Sequence, residues 1–90
     1  QTNDIIKLRE LLISKMECID EIKVYESKTN FILFKVLSGT ADDIFKSLIS
    51  EKILIKNMAN TPGLENCLRV TVGSEKENNL FIQSLKNSII

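Results

Sequence analysis

The sequence predicts an α+β fold, a small sheet of about four short, mostly antiparallel strands packed with three helices. Three observations predict it. Three stretches repeat apolar residues at helical spacing, and four short runs are rich in β-forming residues. Clusters of Gly, Pro, Asn, Ser and Thr punctuate the runs, giving the order α-β-β-α-β-β-α with no internal repeat or low-complexity linker.

The first helix is capped by Asn3 or Asp4 and buries Ile5, Leu8, Leu12 and Met16, with Arg9, Glu10 and Lys15 facing water. A short alternating segment follows over residues 22–25, then a polar corner, ESKTN. FILFKVL, residues 31–37, is apolar on both faces until Lys35, the pattern of a central strand covered on both sides. After SGT, Thr40 with Asp43 makes a capping-box-like start for a second helix with the apolar stripe Ile44, Phe45, Leu48 and Ile49. ILIKN, residues 53–57, is a short strand, and MANTPGLEN carries the only proline beside a glycine, which marks a loop or hairpin connection. CLRVTV is the last strand. Gly73 ends it, and Ser74-x-x-Glu77 is a capping box for a final helix that buries Phe81, Ile82, Leu85 and Ile89.

Ninety residues with an apolar fraction of 43% make one domain with a single core. Twelve basic and twelve acidic residues cancel, so no net field draws the chain to nucleic acid or to an anionic membrane. Histidine is absent, which removes the commonest general base, the usual catalytic triads and most zinc chemistry. Cys18 and Cys67 lie far apart without CxxC spacing and read as small apolar side chains in a reducing compartment, although spacing alone leaves one disulfide open. The chain has no signal peptide and no membrane-length apolar span, and a cytoplasmic location is expected.

The chain uses ten lysines and only two arginines, and one of the two sits inside the last strand. Alternation puts Leu68, Val70 and Val72 on the core face and Cys67, Arg69 and Thr71 on the other. Two readings of Arg69 follow. It pairs with a surface carboxylate such as Glu65, which contributes little. Alternatively, its planar fork binds a carboxylate or phosphate bidentately, which lysine does not do.

CLRVTVGSEKENNLFIQSLK, preceded by ILIKNMANTPGLEN, closely resembles the C-terminal end of histidinol-phosphate aminotransferases, which are fold-type-I pyridoxal-phosphate enzymes. VYESKTNFILFKV resembles an upstream segment of the same family, so the resemblance covers almost the whole chain. It implies that Arg69 holds the substrate's carboxylate or phosphate, and that Lys56 stands where the family has a second anion-binding arginine. Lysine keeps that charge but loses the fork. Asn30 matches the family's Asn before Phe, with a structural role, and Glu26 replaces the proline of the family's PS segment. The resemblance further implies that residues 1–90 are one small C-terminal domain whose large cofactor-binding domain, with the cofactor-linking lysine, lies outside this chain. Pyridoxal 5'-phosphate is then the parent's cofactor, the parent is a homodimer, and this piece alone binds no cofactor and is inactive. No catalytic or metal-binding residue is expected here. The alternatives are a related threonine-phosphate decarboxylase or other aminotransferase of the same fold, a free-standing α+β ligand-binding module, and a structural interaction module with Arg69 in a surface ion pair.

Overall fold

A computed structural model describes residues 3–89. Three helices, α1 (Asn3–Glu17), α2 (Ala41–Ser50) and α3 (Glu75–Ile89), alternate with four strands, β1 (Ile22–Val24), β2 (Phe31–Val36), β3 (Ile55–Asn57) and β4 (Cys67–Thr71). The element order is the one the sequence predicts. The strands form one sheet in the order β1-β2-β4-β3, and all three pairings are antiparallel.

Register decides which residues share a face. Ile32 pairs with Val70 and Val70 with Ile55; Phe34 pairs with Val24 and Leu68. This row forms the core with Leu12 and Met16 of α1, Ala41, Ile44 and Leu48 of α2, and Phe81, Ile82 and Leu85 of α3. The Phe34 and Phe81 rings meet at 5.9 Å between centroids, tilted by 59°. Such a pair contributes about 0.5–1.5 kcal/mol beyond its buried area. All three helices therefore lie on one side of the sheet.

That arrangement corrects one expectation. β2 is central by pairing, but only one of its faces is covered: Phe31 is 42% exposed and Leu33 half-buried on the other face. Apolar residues on both sides of a strand do not by themselves require a covering layer in the same chain. Three smaller corrections concern the helices. Asn3 and Asp4 lie within α1, so its capping position falls outside the described residues. Arg9 is buried instead of facing water. Ile49 is 47% exposed, and Ala41 takes its place in the buried stripe of α2.

Local chemistry fixes the ends of the elements. Thr40 caps α2, its Oγ1 accepting from the Asp43 amide at 3.3 Å. At the other end Lys52 adopts φ 62°, and the amides of Lys52 and Ile53 donate to the carbonyls of Ile49 (2.9 Å) and Leu48 (3.2 Å). That is a Schellman closure with lysine where glycine is usual, sealed by buried Leu48 and Ile53. Pro62 and Gly63 (φ 85°) occupy the centre of a turn closed by Leu64 N to Thr61 O at 3.0 Å, the type II arrangement that needs glycine third. The capping box at α3 forms in both directions: Ser74 N donates to Glu77 Oε1 (2.9 Å) and Glu77 N to Ser74 Oγ (3.2 Å).

Candidate anion-binding site

β4 presents Cys67, Arg69 and Thr71 on the face away from the helices, as alternation requires. Arg69 lies at the centre of this strand, paired with Leu33 of β2 on one side and Lys56 of β3 on the other. Residues directly opposite in an antiparallel pair share a face. Lys35, paired with both Lys23 and Cys67, belongs to the same face. The open side of the sheet therefore carries four cations, Lys23, Lys35, Lys56 and Arg69, and no carboxylate at any of its paired strand positions. The strand positions of this face are thus basic in a near-neutral chain, with Glu26 beside Arg69 and Glu65 near Lys35.

The Arg69 guanidinium lies over the Phe31 ring, 4.3 Å from its centroid. Among the described residues no carboxylate pairs with Arg69, so the ion-pair reading with Glu65 has no support here. Glu65 is occupied locally: hydrogen bonds from its own backbone N–H and that of Gly63 hold its carboxyl below the usual value, with Lys35 adding to the effect. Beside Arg69, residues 26–29, Phe31 and Leu33 line an open depression of about 330 Å³. It is a shallow groove, and it has the polarity for an anion: one guanidinium, one lysine and two hydroxyls against Glu26.

The corner bearing this groove is fixed by side-chain bonds to backbone. Ser27 Oγ donates to the Phe31 carbonyl, the Phe31 amide donates to Thr29 Oγ1 at 3.2 Å, and the Thr29 amide donates to Ser27 Oγ at 3.3 Å. From α1, Arg9 Nη1 donates to the Thr29 carbonyl at 3.4 Å. The Asn30 carbonyl accepts from Val72 N at 2.7 Å, continuing the ladder past β4. Both arginines of the chain therefore converge on one corner.

Residues 1–85 match the family model for aminotransferase class I and II. The chain belongs to that family. It is 36% identical over 86 residues to the histidinol-phosphate aminotransferase of Aquifex aeolicus, covering 96% of this chain and 24% of the relative. To that of Thermoanaerobacter pseudethanolicus it is 41% identical over 90 residues, covering 100% and 25%. Among solved structures, the L-threonine-O-3-phosphate decarboxylase of Porphyromonas gingivalis superposes with a TM-score of 0.86 at 29% identity, covering 93% of this chain and 26% of that one. The histidinol-phosphate aminotransferase of Clostridium acetobutylicum gives 0.83 at 29%, covering 92% and 25%. The chain spans about a quarter of the length of these relatives.

Within this class I and II aminotransferase chain, the two site residues expected from sequence, Arg69 and Lys56, are cross-strand neighbours. Arg69 is half-buried and held against Phe31, whereas Lys56 is exposed on a three-residue edge strand. Sequence reasoning missed Phe31 as the arginine's partner, Arg9 as a corner support, and Lys35 and Lys23 as members of the basic face. The last two follow from register: once β1, β2 and β4 are aligned, alternation puts the odd-numbered positions of all three strands on one face. The cysteines are both free, Cys18 exposed and Cys67 buried, and burial pushes the Cys67 thiol up. Among the described residues no cluster of His, Cys, Asp or Glu is arranged to hold a metal ion, and no helix is long and apolar enough to cross a membrane.

Proposed function

We propose that this chain is the small C-terminal domain of a pyridoxal-phosphate-dependent aminotransferase, and that Arg69 anchors the anionic group of its substrate. The carrying observation is the Arg69 guanidinium, half-buried at the centre of an uncovered basic sheet face and lying over the Phe31 ring without a carboxylate partner among the described residues. Such a guanidinium keeps its fork of donors available in a fixed direction. Lys56 beside it adds charge but not bidentate geometry.

The relatives named for histidinol phosphate support a substrate that carries phosphate, and glutamate or 2-oxoglutarate is the amino-group partner in this reading. Pyridoxal phosphate, when bound, supplies the electron sink for reaction at the substrate's α-carbon. The residues here do not fit that cofactor. Of the described lysines only Lys15 and Lys35 are partly covered, and Lys15 donates to Asn79 at 2.6 Å. Lys52 beside Glu77 and Lys15 beside Glu75 line pockets of only about 60 and 10 Å³, too small for a substituted pyridine ring and its phosphate, and the larger depressions at Lys86 and Lys28 are open to solvent. In this reading the cofactor's own ligands lie in a larger domain of the same parent, a homodimer. This domain binds and orients substrate and helps exclude water.

In the longer chain, Arg69→Lys is expected to raise KM for the anionic substrate about tenfold to a hundredfold, the loss of one charge-assisted bidentate contact, with thermal unfolding unchanged. Unchanged KM with glutamate and the phosphate ester would remove the anchor. A second reading rests on the fold match to the threonine-phosphate decarboxylase. Arg69 keeps its role there, and release of carbon dioxide from threonine phosphate, instead of amino transfer to 2-oxoglutarate, distinguishes it.

A further inference from the structure

We propose that Phe31 is a positioning residue for substrate binding, acting through Arg69: its ring face aims the guanidinium, and the hydroxyl-bonded corner of residues 27–31 holds the ring in place. This rests on Arg69 being the anion anchor. Phe31 is not a core residue. It is 42% exposed on the side of the sheet away from every helix, where an aromatic ring contributes little to folding. What it touches is the guanidinium, at 4.3 Å from centroid to Cζ.

An arginine side chain has four rotatable bonds and, on an open strand, several directions in which to spread. A ring under the guanidinium removes most of them, and a fork lying parallel to that ring keeps its N–H edge free for an anion. Phe31 and Arg69 are diagonal on the sheet: Phe31 pairs with Thr71, and Arg69 with Leu33. A diagonal pair is within reach of a long side chain. The ring's own position is fixed by its backbone. The Phe31 amide and carbonyl are both engaged by Thr29 Oγ1, at 3.2 and 3.3 Å, and the carbonyl also accepts from Ser27 Oγ. Arg9 then ties the Thr29 carbonyl to α1. The aim of one arginine is in this way referred to the helix carrying the other.

The test uses the longer chain with its cofactor, and compares Arg69→Lys, Phe31→Leu, Phe31→Tyr and the double variant Phe31→Leu/Arg69→Lys. Phe31→Leu keeps an apolar side chain and removes the ring face, and is expected to raise KM for the anionic substrate about fivefold to tenfold with kcat changed less and the melting temperature held. Phe31→Tyr should restore KM, since the ring face returns. In the Arg69→Lys background, Phe31→Leu should add less than twofold, because the fork it aims is gone. If Arg69→Lys raises KM but Phe31→Leu does not, or if the Phe31→Leu effect is undiminished in the Arg69→Lys background, the positioning role is overturned while the anchor stands. If Arg69→Lys leaves KM unchanged, the anchor itself fails and this inference fails with it. Should Phe31→Leu fold poorly, restoration by Phe31→Tyr alone against a Phe31→Met comparison decides the same question.

Discussion

Asn66 shows how much one side chain settles. It adopts φ 61°, a left-handed conformation that asparagine tolerates better than most residues. From there its Nδ2 donates to the carbonyls of Val36 (2.6 Å) and Gly39 (3.3 Å), and its Oδ1 accepts from the Ala41 amide at 2.7 Å. The end of β2, the loop after it and the first turn of α2 are pinned to the start of β4 by one amide. Asn66→Ala loses these bonds and strains the backbone, and is expected to cost about 2–4 kcal/mol in a denaturant titration. Asn66→Gly keeps the backbone freedom and should be less damaging by about 1 kcal/mol. Equal losses would show that the backbone conformation is not part of the cost. None of this was legible in the sequence, where Asn66 reads as one polar loop residue among several. Its partners are 25 to 30 positions away, and no local pattern announces such a bond. Arg69 was legible because an arginine in an apolar strand is a local anomaly; its contact with Phe31 was not, because that depends on strand register.

At the scale of the element, α3 illustrates the opposite case. Its start was readable from Gly73, Ser74 and Glu77, and the structure adds why glycine stands there. A Cβ on residue 73 would lie 2.9 Å from Glu77 Oε1, colliding with the capping carboxylate. Buried Asn78 completes the junction, donating to the Gly73 carbonyl (3.1 Å) and accepting its amide (2.9 Å). Hydrogen bonds from the Ser74 backbone N–H and then its side chain hold the Glu77 carboxyl below the usual glutamate value. A lowered folded value means that ionised Glu77 favours the folded state. Its contribution is complete above the ordinary glutamate range near 4.5 and is lost as pH falls through the lowered value. Between pH 6 and pH 3 the melting temperature should therefore fall further for the native chain than for Glu77→Gln. Parallel curves would remove Glu77 from the pH dependence. The strand ends were less legible than the helix start: residues 53 and 54 precede β3 because Ile53 is spent on closing α2.

For the molecule as a whole, the one-sided layering carries the functional argument. Helices cover the face built from Ile32, Phe34, Leu68 and Val70, and no helix among the described residues lies on the face with Arg69, Lys56 and Lys35. The order of elements was legible because each has its own period. The uncovered face was not, because FILF reads the same whether a layer from this chain or from another domain lies over it. If the larger domain and substrate meet this face, Lys56 should lose most of its reactivity toward an amine-directed acylating reagent in the longer chain with substrate bound. Exposed Lys46 and Lys86, on the helix side, should keep theirs. Equal labelling of Lys56 and Lys46 would place the contact elsewhere. The edges of the sheet have a further consequence. β1 and β3 are each three residues long, and each carries a lysine at its middle position, Lys23 and Lys56. A short border with a charge at its centre is a poor template for recruiting a foreign strand. The same ammonium groups that make the face attractive to an anion thus also guard against aggregation, and replacing either with a neutral β-former would expose the sheet to self-association before it altered any chemistry.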